Sequence, residues 1–395
     1  MTAKHSQFID LFFAKLSRRL CDSTLIAAAV LITLALTGYA SGQTESVLHS
    51  FNGNDGSLPS QRLTVDSAGN LYGSTTGNFP SIGSIFKLTP AGQLKVIYRF
   101  TDGQNRLFTT GKLVLDSKGN LFGVDQTGGT FGSGSIFRLT QSGVFTILYN
   151  FTGKGDGAFP NGVISDSQGN FYGTTNMGGA FGQGTVFKFV PGRGLKTLYS
   201  FTGSTDGGEP FDSALVRDAQ GNFFGTTMFD GGKISFGVVF KVTPSGTETV
   251  LHTFLGGMDG AHPKGSLIAD AEGNLYGTTS SGENLKGGTV FKITPSGVMT
   301  EVYTFSGPDG FDPNAGLALD AQGNLYGTTF SGGASNDGVV FEINSAGSES
   351  VLVNFAGSDG ATPYSGLIFD ENGNLDGTTG FGGVSNQGTV FRVTP

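Results

Sequence analysis

The segment Asp-x-x-Gly-Asn occurs seven times in this chain, closing on Asn70, Asn120, Asn170, Asn222, Asn274, Asn324 and Asn374, always 50 or 52 residues apart. A fixed period of that length is the mark of an array built from one supersecondary unit, and it outweighs the two or three separate domains that 395 residues would otherwise suggest. The fifth copy shows the full phrase. Gly265 to Thr279 reads Gly-Ser-Leu-Ile-Ala-Asp-Ala-Glu-Gly-Asn-Leu-Tyr-Gly-Thr-Thr, Gly287 to Gly297 reads Gly-Gly-Thr-Val-Phe-Lys-Ile-Thr-Pro-Ser-Gly, and Glu301 to Phe305 reads Glu-Val-Tyr-Thr-Phe.

Each repeat holds four short segments of strand character separated by turn residues. In the sixth they are Leu317 to Asp320, Leu325 to Thr329, Val339 to Ile343 and Val351 to Phe355. Two positions are invariantly aromatic. The third segment carries Phe86, Phe137, Phe187, Phe240, Phe291, Phe341 and Phe391, and the fourth ends on Phe51, Phe100, Phe151, Phe201, Phe254, Phe305 and Phe355. Fourteen rings at two fixed positions predict a packing layer between neighbouring sheets, each ring contributing roughly 1.5–3 kcal/mol on burial.

The connections alternate in kind. Asp-x-x-Gly between segments one and two, and Thr-Pro-Ser-Gly between three and four (Thr243 to Gly246, Thr294 to Gly297), are type I turn sequences that close tight hairpins. The connections after segments two and four are long. In an up-and-down sheet these lie together at the opposite end from the tight turns, so all long loops share one face. The expected fold is all-β: a seven-bladed β-propeller of four-stranded antiparallel blades. Its N-terminal strand, Val47 to Phe51, supplies the strand missing from the last repeat and closes the ring without an orphan edge.

The first 42 residues differ from the rest. Lys4, Lys15, Arg18 and Arg19 precede an apolar stretch from Thr24 to Thr37, and small residues follow at Gly38, Ala40, Ser41 and Gly42. That order predicts an export signal cleaved after Ala40 or Gly42, the rival being an uncleaved anchor. The domain plan is therefore a leader over 1–42 and a propeller over 43–395. The one cysteine, Cys21, lies in the leader, so disulfide and thiolate chemistry are excluded downstream. Removing the leader's four cations and two acids leaves 19 basic against 29 acidic residues, a net charge of −10, a poor match to nucleic acid or anionic membranes.

Leu275 to Thr279, followed by Gly287 to Pro295, resembles the Gloeobacter/Verrucomicrobia-type repeat of "choice-of-anchor" tandem-repeat proteins, and the resemblance covers roughly residues 47 to 395. It implies an exported bacterial surface propeller and brings no catalytic residue set with it. Many such proteins have a C-terminal anchoring signal. This chain stops at Pro395 inside a repeat, which gives the expectation of a secreted or periplasmic form with no stable membrane span after signal cleavage. A looser similarity links Asp-x-x-Gly-Asn-x-Tyr to lactonase-like and NHL-type propellers, through residues that are mostly turn grammar.

Candidate functional residues lie where repeats disagree. The residue before the long-loop proline reads Leu58, Phe159, Glu209, His262, Asp312 and Thr362. Glu209, His262 and Asp312 fall on consecutive blades and could converge as a metal or general acid/base set, but they read first as ordinary solvated loop variation, since a spacing of some 50 residues is not a ligand motif. Phe131, Phe181 and Phe330 are long-loop rings able to stack on a sugar. The Asp-Gly pairs from Asp55 to Asp359 read as turn residues, with an acidic, calcium-attracting rim as the alternative. His49 and His252 stand where other repeats have Tyr98, Tyr149, Tyr199 and Tyr303, and read as packing substitutes. Asp376 replaces an aromatic and reads as drift in the last blade, or else has a partner. No residue is assigned as catalytic, and neither metal nor cofactor is specified. The function expected is a binding scaffold for an extracellular glycan, peptide or protein, with a metal-dependent lactonase-like or polysaccharide-acting hydrolase and a purely structural envelope module as alternatives.

Overall fold

The computed structural model describes residues 44–59, 61–77, 83–100, 109–211, 214–229, 236–280 and 287–395. The expected leader lies outside the described residues, as does Asp102 of the Asp-Gly series. Among the described residues no helix is long and apolar enough to cross a membrane.

Seven four-stranded antiparallel sheets form a closed ring. Blade 1 comprises β2 (Thr64–Val65), β3 (Leu71–Thr75), β4 (Ser84–Leu88) and β5 (Leu94–Arg99). Blades 2 to 6 follow in order as β6–β9 (109–150), β10–β13 (158–200), β14–β17 (216–253), β18–β21 (268–304) and β22–β25 (318–354). Blade 7 takes β26 (Ile368–Phe369), β27 (Leu375–Thr379) and β28 (Thr389–Thr394) from the C-terminus and its outermost strand, β1 (Thr44–Ser50), from the N-terminus, with Thr44 opposite Thr394. The ring closes as the sequence predicts.

The two phenylalanine series make the contact between blades. The fourth-strand ring of each repeat meets the third-strand ring of the next blade edge-to-face in all seven interfaces, from Phe51–Phe86 at 5.2 Å to Phe355–Phe391 at 5.0 Å. All fourteen are at most 2% exposed. The glycine of each Leu-Tyr-Gly-Thr-Thr segment makes room for this layer. A Cβ on Gly277 would stand 2.6 Å from Phe291 Cζ, and one on Gly327 or Gly377 2.5 Å from the ring of Phe341 or Phe391.

The Asp-x-x-Gly-Asn turns also behave as their residues predict. Asp66 Oδ1 accepts from the N–H groups of Ala68 and Asn70, and Gly69 takes φ 74°. Burial alone would raise the carboxyls of Asp66, Asp116, Asp166, Asp270, Asp320 and Asp370, but hydrogen bonds led by those of the following Asn hold them below the usual range.

Two details differ from the sequence reading. Innermost strands shrink to two residues in five blades, because residues just before them give their polar groups to the neighbouring blade. Thr278 Oγ1 donates to Ala315 O (3.1 Å) and Thr328 Oγ1 to Ser365 O (3.1 Å). Asp376 is not drift: Arg392, its cross-strand partner, grips it bidentately (Nε–Oδ1 2.7 Å, Nη2–Oδ2 2.8 Å) and reaches Asp370 at 3.1 Å. In blades 1, 3 and 5 the same register holds Tyr72 under Lys87, Tyr172 under Lys188 and Tyr276 under Lys292 as cation–π pairs. Blade 7 has replaced both members of that pair together.

Candidate functional site

The long loops cross one face of the ring. The residue before each long-loop proline is fixed by its backbone: Leu58, Phe159, Glu209, His262, Asp312 and Thr362 all have φ between 50° and 61°. A left-handed conformation costs a non-glycine residue roughly 1–2 kcal/mol. Two backbone hydrogen bonds of about 1 kcal/mol each offset it. The N–H donates to the second-to-third-strand loop of the preceding blade (Glu209 to Gln183 O, 2.9 Å; His262 to Phe236 O, 2.8 Å; Asp312 to Gly287 O, 2.7 Å). The C=O accepts from its own blade (Met228, Ser280 and Phe330 N–H). This position rivets adjacent blades together, and its side chain is left free to vary.

Those side chains meet different surroundings. His262 Nδ1 lies 3.1 Å from Met228 O and its ring packs edge-on against Phe229 and Phe236. Asp312 has one buried oxygen without a hydrogen-bond partner. Glu209, one blade before His262 and two before Asp312, is half-buried. Among the described residues no three His, Cys, Asp or Glu side chains stand close enough to hold one metal ion, so Glu209, His262 and Asp312 remain on separate blades.

The Asp-Gly carboxylates are tied into their own loops. Asp156 accepts from Thr152 N–H and Tyr149 Oη, Asp206 from Thr202 N–H and Tyr199 Oη, and Asp309 from Ser306 N–H and Tyr303 Oη. His49 and His252 take the tyrosine's place in bonding as well as in packing, with Nε2 2.9 Å from Asp55 and 2.8 Å from Asp259.

Exposed apolar side chains concentrate on this face. Phe131 and Phe181, at the same repeat position in blades 2 and 3, are 60% and 61% exposed. Phe211, Phe229, Leu255, Phe381 and Val384 stand on other long loops, whereas among the described residues the tight-turn hairpins expose only Val144 and Val298. Phe330 packs edge-to-face on Tyr364, with ring centroids 4.8 Å apart.

Tyr364 also lines the central channel, a cavity of about 450 Å³ walled by the innermost strands. The channel wall carries Arg62 and Lys112 at equivalent positions of adjacent blades, where later blades have Ala214, Ser266, Gly316 and Gly366. Lys112 is open to channel water yet surrounded by the wall. Burial first, and then Arg62, push its ammonium down to about 8. Nothing in the chain order singles out Arg62 and Lys112, since two basic residues 50 apart meet only if their blades converge on an axis.

A second residue passed over is Asp125. It occupies the position of Thr75, Thr175 and Thr279, whose hydroxyls bond Ser84, Thr185 and Thr289 across the sheet. Asp125 is fully buried, and burial pushes its carboxyl up to about 6 against the pull of the Gly128 and Thr127 N–H groups. The signal available was its departure from Thr at an otherwise polar-neutral repeat position.

Rigid, closed scaffolding under a face of variable, partly aromatic loops defines a β-propeller of the surface-loop type, with a channel along its axis. The chain belongs to the Gloeobacter/Verrucomicrobia repeat family, whose repeat matches residues 36–233 and 211–395. No curated protein matches it by sequence. Solved structures share its fold at low identity. Virginiamycin B lyase from Staphylococcus aureus is 14% identical with a TM-score of 0.58, over 89% of this chain and 99% of that one. The extracellular domain of the hybrid two component system BT3049 from B. thetaiotaomicron is 15% identical with a TM-score of 0.58, over 89% of this chain and 41% of that one. That of the one component system BT4673 from the same organism is 15% identical with a TM-score of 0.57, over 89% and 42%.

Proposed function

We propose that this chain is an exported propeller that binds a glycan, peptide or protein partner on its long-loop face, without catalysis. The observation that carries the reading is the apolar exposure of that face, above all Phe131 and Phe181 on adjacent blades. Exposed rings held on backbone-stitched loops lose little conformational freedom on binding, which suits a recognition surface. Variation of side chains over a constant backbone, as at Glu209, His262 and Asp312, supplies specificity from blade to blade. The extracellular placement of the BT3049 and BT4673 domains accords with a role outside the cell.

The test is a binding survey over extracellular polysaccharides and peptides with the wild type, F131A/F181A and V144S/V298S. Loss of binding in the first variant, with retention in the second, is the expected result. Equal loss in both, or loss only in V144S/V298S, refutes the face assignment. E209A, H262A and D312A then test which blades set specificity.

A further inference from the structure

Two cations line the axial cavity of an acidic protein. Arg62, two residues before β2, and Lys112, on β6, both line the channel at equivalent positions of adjacent blades, and the charge of Arg62 acts on Lys112. Arg62 Nε donates to Leu367 O at 3.1 Å, the only partner seen for its guanidinium among the described residues. The described lining contains no carboxylate: besides the two cations it is made of aliphatic side chains such as Leu113, Val163 and Leu267, small residues, and neutral polar groups such as Gln61, Ser266 and Asn314. One of those, Asn314, has a buried Oδ1 without a hydrogen-bond partner.

Like charges brought together in a cavity repel, and each loses hydration there. Burial lowers the affinity of both groups for their protons. Within a chain of net charge −8, solvation gives no reason to place two cations without a carboxylate partner among the described residues side by side in the channel wall. An oxyanion between them removes the repulsion, takes charge-assisted hydrogen bonds from guanidinium and ammonium, and replaces the missing water. The neutral wall opposite, small at Ala214, Gly316 and Gly366, leaves space for the body of a small organic acid.

We propose that the central channel is an anion-binding site in which Arg62 and Lys112 hold the carboxylate or phosphate of a small polar molecule. The site is separate from the long-loop surface, and its occupancy does not depend on the partner proposed there.

The test uses the full chain and two probes, inorganic phosphate and glucuronate, titrated calorimetrically at constant ionic strength against chloride. Saturable binding of at least one probe is expected, about tenfold or more weaker in K112Q and in R62Q and absent in the double variant. K112Q breaks no hydrogen bond seen among the described residues, so its loss of binding is not a folding defect. The double variant is also expected to melt higher than the wild type in anion-poor buffer, because the repulsion is gone. If neither probe binds better than chloride, or if K112Q and R62Q bind as the wild type does, the proposal fails.

Discussion

Raising the pH from 5 to 7.5 should weaken this fold through three glutamates that replace apolar residues at one repeat position. Glu45, Glu248 and Glu349 open the outermost strands of blades 7, 4 and 6, where the other blades carry Leu94, Phe145, Leu195 and Met299. Each has a buried Oε1 without a hydrogen-bond partner. Each also faces the loop aspartate of the preceding blade: Asp359, Asp206 and Asp309 respectively. Burial first, and then that aspartate, push all three carboxyls up to about 7 from 4.5. Taken whole, such a shift would be worth about 3.4 kcal/mol per residue. The side chains are only half-buried, so solvent screening reduces this to roughly 1 kcal/mol each, or roughly 3 kcal/mol together.

The sign follows from linkage. A carboxyl whose folded pKa is raised gives stability that is complete below its unfolded pKa and is lost as pH rises through the folded value. The loss therefore falls between about pH 4.5 and 7. The turn aspartates with lowered pKa act oppositely, but only in more acidic solution. Guanidinium unfolding at pH 5 and pH 7.5 should show the wild type losing roughly 3 kcal/mol more than E45L/E248L/E349L, whose residual loss comes from the buried Asp125. A triple variant with the same pH slope as the wild type, or a wild type more stable at pH 7.5, refutes the reasoning.

G277A should cost about 1–3 kcal/mol in chemical denaturation, because its Cβ would press 2.6 Å from Phe291 Cζ in a layer with no slack. R392M should cost about 3–5 kcal/mol by stranding the buried Asp376, whereas D376Y/R392K, which restores the pairing of blades 1, 3 and 5, should lie within about 1.5 kcal/mol of the wild type. Equal destabilisation of the two would mean that the ion pair is incidental. Removal of residues 44–50 should expose β28 as an unpaired edge, lowering the melting temperature and promoting self-association in light scattering. An unchanged monomer would show that β1 does not hold the ring.

Blade number, strand order, turn chemistry and the two aromatic layers were legible because the same contacts recur every 50 or 52 residues and leave the same residues behind. The substitution of Asp376 and Arg392 was not, since the two lie 16 apart and meet only through strand register. The left-handed position before the long-loop prolines was hidden for a related reason. A residue before proline ordinarily reads as extended, and only the inter-blade bonds of Glu209, His262 and Asp312 overturn that local preference. Phe131 and Phe181 stood out as loop aromatics, but their exposure depended on the packing of neighbouring loops. Arg62 and Lys112 gained meaning only when seven innermost strands met around a channel.

The pairing of Thr44 with Thr394 has a consequence for the order of folding. Blades 1 to 6 are each built from one continuous stretch of chain, so their strands can pair as soon as that stretch exists. Blade 7 alone joins residues some 350 positions apart, the kind of long-range contact that slows folding. Its outer strand is the first to be synthesised and the last to find a partner. Until β28 is complete, β1 waits as a free strand edge, and so does the apolar flank of blade 1 that will receive Phe51. The chain is therefore most vulnerable to mispairing with its neighbours in the interval before β28 is made.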